Sequence, residues 1–240
     1  MKGKEKKRGP IIAIDGPSGV GKTTISKLVA QSLGFRYIET GAMYRAFAVA
    51  ANDAGVNVDD EDELEEFSKG IEVTFDNNYE KIFINNKDYS GRIRDASSGE
   101  LASRASSKKA VRDFLVRLQR ELGHEGCVVM EGRDIGTVVF PDADVKIFLD
   151  AKSEVRAGRR HAQLSASPGF AENGGATVDA EKVAGDIEER DRRDSTRRHS
   201  PLKKADDAVY VDTSEAGVRD IEKRVLGIIK ERTGIGDNNR

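Results

Sequence analysis

The chain has 240 residues, and its 40 lysines and arginines are balanced by 42 aspartates and glutamates to a net charge of −2. That balance argues against a polycationic nucleic-acid or membrane-surface binder, so the basic residues that matter must be clustered at a site. No apolar run nears the ~20 residues of a membrane span, and no signal-peptide core is evident. The single cysteine, Cys127, rules out an intrachain disulfide and suits a reducing compartment. A soluble cytoplasmic protein is expected, monomeric because no extra apolar stripe is evident.

Residues 1–10 are Lys-rich and lack apolar side chains beyond Met1, which predicts a disordered basic tail. Residues 11–14 are apolar and rich in β-branched side chains, as in a buried parallel strand, and Asp15-Gly16-Pro17 ends the run. From Gly16 to Thr23 the chain satisfies G-x-x-x-x-G-K-[ST], a phosphate-binding loop. Gly16, Pro17, Ser18, Gly19, Val20 and Gly21 would turn backbone N–H groups onto the polyphosphate of ATP at a helix N-terminus. Lys22 would reach the β- and γ-phosphates, and the Thr23 hydroxyl would take one magnesium position, with Thr24 closing the ATP-binding stretch. Ile25, Leu28, Val29 and Leu33 share one face of the helix that follows, and Gly34 stops it.

A second strand over 35–38 leads into a helix that starts at Glu39 or Thr40 and ends near residues 53–55. This β–α order predicts a doubly wound α/β fold, a parallel sheet of about five strands with helices on both faces. Arg45 is either an ion-pair partner of Glu39 or a second anion contact facing the loop. Residues 59–68 read as an acidic helix. Residues 71–75 and 81–84 then alternate, with turns at 76–78 and 85–88, as in an antiparallel meander. Residues 59–94 are therefore assigned to an inserted subdomain, and 11–58 with 95–233 to the core. Asn86-Lys87-Asp88 lacks the spacing of a guanine-reading N-K-x-D and reads as a turn.

Helices are predicted over 96–105 and 108–122; Ser103 and Arg112 lie in them, and spacing alone gives neither a role. Residues 127–130 read as a buried strand, with Cys127 an inert core thiol. Glu131-Gly132-Arg133-Asp134 then falls at the carboxyl end of a central strand, where doubly wound sheets bind ligands. A strand at 145–149, a helix at 154–164 and a mobile loop at 165–177 follow. Residues 187–199 carry five arginines within 190–198 and no lysine there, as suits bidentate phosphate recognition. If helical, Arg190, Asp194 and Arg197 share one face. Together, residues 160–200 suggest a lid that brings arginines over a transferring phosphoryl group. A last strand at 208–211 and a helix capped by Thr213 or Ser214 complete the chain, and 234–240 should fray.

Ile14–Lys22, Thr40–Arg45, Glu131–Pro141, Lys146–Asp150 and Glu189–Asp194, in this order and spacing, resemble the motifs of the bacterial cytidylate kinase family. Such enzymes have the nucleoside monophosphate kinase fold and transfer the γ-phosphoryl group of ATP to CMP or dCMP with magnesium. The resemblance implies that Lys22 and the loop amides hold ATP, and that Arg45, Arg133, Arg190 and Arg197 hold the CMP phosphate and the transferring group. It further implies that Lys22, Arg133, Arg190 and Arg197 carry catalysis, and that Thr40 supplies a hydroxyl contact. Ser103, Arg112 and Asp134 would read the cytosine edges, and Asp194, held by Arg190, would contact the pentose. Thr40 stands where the family usually has Ser, and Glu39 where it usually has Asp. Other P-loop small-molecule kinases, of adenylate or shikimate type, are the alternative reading. A nucleotide-binding switch would need the guanine-reading motif.

Overall fold

The computed structural model describes residues 8–94, 96–166 and 179–235. Five parallel strands form the main sheet: β1 (Ile11–Asp15), β2 (Arg36–Glu39), β6 (Val128–Gly132), β7 (Val145–Asp150) and β8 (Val209–Asp212), in the order β2-β6-β1-β7-β8. β1 lies between β6 and β7, so its carboxyl end is flanked by both neighbours. The alternation of side chains along a strand sorts the core into two layers. Ile11 and Ala13 point to one layer, with Phe47 and Met43 of α2 (Thr40–Asp53) and Leu115 of α5 (Lys109–Gly123). Ile12 and Ile14 point to the other, with Val29 and Leu33 of α1 (Lys22–Leu33) and Val225 and Ile229 of α8 (Val218–Thr233). Helices thus cover both faces, as the β–α order requires.

The meander is real and one strand longer than its sequence suggests. β3 (Val73–Phe75), β4 (Ile82–Ile84) and β5 (Lys87–Asp88) form a three-stranded antiparallel sheet. Residues 85–88 were expected to be a turn throughout. Only Asn85 and Asn86 make it, both with positive φ, and Lys87 and Asp88 pair back onto β4. Ile82 and Ile84 join the same apolar layer as α2, so the insertion packs into the core. The acidic helix α3 (Glu61–Lys69) is capped by Asp60, whose carboxylate accepts from the Asp62 and Glu63 amides. Helix α4 (Ala96–Ala105) follows as predicted.

Four expectations are corrected. Cys127 is exposed, with φ 48°, and β6 begins one residue later; a left-handed corner turns this thiol out of the core. The tail boundary also moves. Arg8 pairs with Asp144, and the Gly9 amide donates to the Glu125 carbonyl, so 8–10 are held while 1–7 lie outside the described residues. The last helix starts at Val218 after Gly217 and neither expected cap is used: the Thr213 hydroxyl donates to the Val20 carbonyl and the Ser214 hydroxyl accepts from the Lys152 amide. Arg197 falls just beyond α7 (Ala180–Thr196), with φ −59° and ψ 143°, so it does not share a helix face with Arg190 and Asp194. Helix α6 (Ser153–Ser165) precedes residues 167–178, and most of the expected mobile loop lies outside the described residues, as do residues 236–240 of the expected frayed end.

One buried carboxylate links the two segments that matter most. Asp15, the last residue of β1, accepts from the Ile135 amide at 2.8 Å and the Gly136 amide at 2.7 Å. These amides open a π-helical turn, Ile135–Val139, directly after Arg133 and Asp134. Burial pushes the Asp15 carboxyl up from 3.8 to about 7, against the two amides that favour its ionised form. Its folded pKa exceeds its unfolded one, so its contribution to stability falls as pH rises from about 4 to about 7. Asp15→Asn keeps one acceptor and opposes the second amide with an NH₂, which costs about 1–3 kcal/mol for an unsatisfied buried N–H. The variant should therefore be less stable than the parent, by a margin that is larger at pH 5 than at pH 8. Denaturant melts at both pH values check this, and a margin that grows with pH would refute it.

Candidate active site

The phosphate loop occupies residues 16–21, between β1 and α1. Gly16 is needed because a Cβ there would stand 2.1 Å from the Leu149 carbonyl oxygen. Gly21 is the N-cap of α1 with φ 90°, and a Cβ there would meet nothing within 4 Å, so its α1-side backbone faces open space. Helix α1 presents its first N–H groups to the loop without a side-chain cap, an anion site by geometry. Lys22 folds over this loop, and its Nζ donates to the Gly16 and Pro17 carbonyls at 2.9 and 2.6 Å. Burial, then the Arg133 guanidinium, pushes its ammonium down from 10.5 to about 7.

Thr23, in the first turn of α1, donates its hydroxyl to Oε1 of Glu131 at 2.7 Å. Tyr37 donates its phenol to the same oxygen. Burial, and then the neighbouring Glu39 carboxylate, push the Glu131 carboxyl upward. Thr40 donates to the Glu131 backbone carbonyl at 2.7 Å, pinning the start of α2 to the end of β6. Arg45 pairs with Glu39, which is one of the two readings its position allowed. Its Nε is buried with no hydrogen-bond partner among the described residues.

The other arginines converge from distant segments. Arg190 on α7 is half-buried, with its Nε buried and unpartnered among the described residues and its guanidinium against Gly99 of α4. Burial, then Arg133, push its guanidinium down to about 10, with Arg45 and Arg160 adding to the repulsion. Arg133 and Arg190 likewise depress Lys22. Lys22, Arg133, Arg190, Arg45 and Arg160 therefore share one electrostatic neighbourhood at the carboxyl end of the sheet. Asp194 is buried, which alone would raise its carboxyl. Arg133, Arg190 and Arg197 outweigh that and hold it low. Its hydrogen bond comes from Nε of Arg133 at 3.0 Å; the expected hold by Arg190 is Coulombic, with no hydrogen bond.

Beside this cluster sits a buried polar floor. Arg112 of α5 pairs with Asp134, and both are nearly inaccessible. Arg197 stands 3.7 Å from Asp134 and 3.7 Å from Asp194, and its Nε donates to the Ser200 carbonyl at 2.7 Å. Ser103 is buried on α4 and accepts from Arg193 at 3.2 Å. Of the residues singled out in sequence, Lys22, Arg45, Arg133, Arg190, Asp194, Arg197, Arg112 and Asp134 are thus linked through ion pairs or neighbouring charges, whereas Val20 lies in the apolar core and Thr40 and Ser103 use their hydroxyls on protein partners.

Some neighbours were not singled out. Asp191 accepts from the Ser18 amide at 3.0 Å and pairs with Arg156, which also donates to the Ser18 carbonyl at 3.2 Å. Both sides of the Ser18 peptide are therefore clamped by the helices α6 and α7. Asp191 and Arg156 sit in charge-rich helices where nothing in spacing separates a buried charge from a solvated one. Tyr37 looked like an ordinary strand residue; the one signal was a phenol two residues before the carboxylate Glu39 in a short strand.

A phosphate loop entering a central parallel strand, with cations gathered across the same sheet end, defines a P-loop α/β protein of the kinase class. The cytidylate kinase family model matches residues 12–231, and the chain belongs to that family. The cytidylate kinase of Citrifermentans bemidjiense is 42% identical over 97% of both chains. That of Geobacter sulfurreducens is 43% identical, covering 94% of this chain and 95% of its own. That of Rhodococcus opacus is 44% identical, covering 94% and 97%.

Proposed function

We propose that the protein transfers the γ-phosphoryl group of ATP to CMP or dCMP, giving ADP and CDP or dCDP. The observation that carries this reading is the buried Arg112–Asp134 pair lying beside the cation cluster, in a chain of this family. A donor–acceptor pair buried at the floor of an anion cleft suits a base edge, whose polar groups satisfy it, while the cations take the phosphate. In this reading the loop amides of Gly16, Pro17, Ser18, Gly19, Val20 and Gly21, with Lys22, Thr23 and Thr24, hold ATP. Thr40, Arg45, Ser103, Arg112, Arg133, Asp134, Arg190, Asp194 and Arg197 surround CMP.

The chemistry asked of the side chains is positioning and charge neutralisation. The transferring group carries its charge on peripheral oxygens, so fixed guanidiniums lower the barrier without a strong base. Arg133 and Arg190, whose charges both act on Lys22, would follow the charge from donor to acceptor. Because Arg133 and Arg45 repel Arg190, and Arg133 and Arg190 repel Lys22, an incoming polyanion relieves that repulsion, which favours its binding.

Magnesium fits the donor set. Thr23 uses its proton on Glu131 and so keeps its lone pairs for a cation. Among the described residues no group of three or more acidic, His or Cys side chains forms a metal cage. Bound there, magnesium would neutralise phosphate charge, with Thr23 as its protein ligand and Glu131 behind it. No helix among the described residues is long and apolar enough to cross a membrane. We take a cytoplasmic monomer acting on free nucleotides as its setting: the near-neutral charge speaks against a nucleic-acid partner, and the single cysteine suits a reducing compartment.

The test is ADP release with ATP and a panel of acceptors. CMP and dCMP should far exceed AMP, GMP and shikimate. AMP or shikimate as the preferred acceptor would overturn the proposal in favour of another small-molecule kinase.

A further inference from the structure

We infer that Tyr37 is a positioning residue for phosphoryl transfer: its phenol fixes the Glu131 carboxylate so that Thr23 presents its oxygen to the magnesium that accompanies ATP. The inference rests on the nucleotide-kinase reading above and adds a residue from outside the phosphate loop and the arginine cluster.

The placement follows from the sheet. β2 and β6 are parallel neighbours, with Tyr37 opposite Val129 and Glu39 opposite Glu131. Alternation sends Tyr37, Val129 and Glu131 to the α1 face, where Val129 and Tyr37 pack in the same apolar layer as Val29 and Leu33. The Tyr37 ring is held from above by α1, with the Lys27 ammonium 5.5 Å from its centroid. Thr23 lies one turn before Lys27 on that helix. The phenol and the Thr23 hydroxyl therefore reach the same carboxylate from two sides, and both donate to Oε1.

The chemistry turns on one proton. A hydroxyl ligates a cation through a lone pair and must send its proton elsewhere. Glu131 receives that proton, and the phenol holds the receiving oxygen in place. A carboxylate held by one donor can rotate about its last bond; held by two donors on one oxygen it cannot turn without breaking both. Partners behind a metal ligand tune the site in this way. Packing alone does not require the hydroxyl, since phenylalanine would fill the same volume and keep the Lys27 contact.

Tyr37→Phe separates the two roles. ADP affinity is measured by calorimetry with and without magnesium, alongside the magnesium dependence of turnover. The parent should bind ADP more tightly with magnesium. In Tyr37→Phe that gain should shrink by about tenfold, the magnesium needed for half-maximal rate should rise similarly, and affinity without magnesium should stay within about twofold. In a Glu131→Ala background, which removes the shared acceptor, the Tyr37→Phe change should add nothing further. An undiminished magnesium gain in Tyr37→Phe overturns the inference, as does an equal loss in the Glu131→Ala background. A parent chain whose ADP affinity ignores magnesium would instead sink the underlying kinase reading, which the acceptor panel tests separately.

Discussion

Lys22→Met should lower kcat by about a hundred- to a thousandfold, the usual loss for one preorganised donor to a developing charge, with the fold retained. The Lys22 ammonium is held over the loop by the Gly16 and Pro17 carbonyls, so its position is set before any phosphate arrives. Its stability contribution has the opposite sign to its catalytic one. The folded chain holds the proton with a pKa of about 7, against 10.5 for the free side chain. The folded state therefore binds fewer protons between those values, and the cost of burying the charge is greatest below about pH 7 and fades as pH rises toward 10.5. Methionine removes that cost but leaves two carbonyls without a donor. The melting temperature should stay within several degrees of the parent, with the variant comparing more favourably at pH 6 than at pH 9. Coupled ADP-release rates and thermal melts check both halves. Turnover within tenfold of the parent would remove Lys22 from the mechanism.

How far the site could be read from sequence depended on whether its residues were local. The phosphate loop was legible because strand, glycines, lysine and helix are contiguous, and their order alone dictates the geometry. The parallel sheet followed from the β–α rhythm, and the meander from a change of period at residues 71–84. Convergence of Arg45, Arg133 and the Arg190–Arg197 segment was not legible from spacing; the three segments are dozens of residues apart, and the first two come together because β2 pairs with β6. It was the resemblance to a known family that supplied those roles. The misreadings have specific causes. Cys127 followed an apolar pattern, but a left-handed residue sits where the strand was expected to start. Arg197 matched helical spacing, but the helix ends at Thr196, and the side chain turns inward from an extended residue. Thr213 or Ser214 was expected to cap a helix, but the Thr213 hydroxyl instead ties the end of β8 to the phosphate loop through the Val20 carbonyl.

Arg133→Ala should cost about a thousandfold or more in kcat/KM, because it removes charge from both sides of the transfer at once. Arg133 follows the end of β6, with its Nε on Asp194 and its charge felt by both Lys22 and Arg190. Its loss would also relax the cluster: Lys22 would hold its proton more tightly, and Asp194 would lose its hydrogen-bonded partner. The structural part of this effect has its own pH signature. Burial opposes the Asp194 carboxylate, but its guanidinium neighbours hold its pKa below the ordinary 3.8. The stability it contributes is therefore present above that value and lost as pH falls through the folded pKa. The stability gap between Arg133→Ala and the parent should accordingly close toward acid, while at neutral pH the variant remains folded and inactive. Arg133→Lys keeps the charge but not the fork, so it should restore the melt more than the rate. A rate that recovered in step with the melt, or an Arg133→Ala chain with full turnover, would mean that this guanidinium only braces Asp194 and takes no part in the transfer.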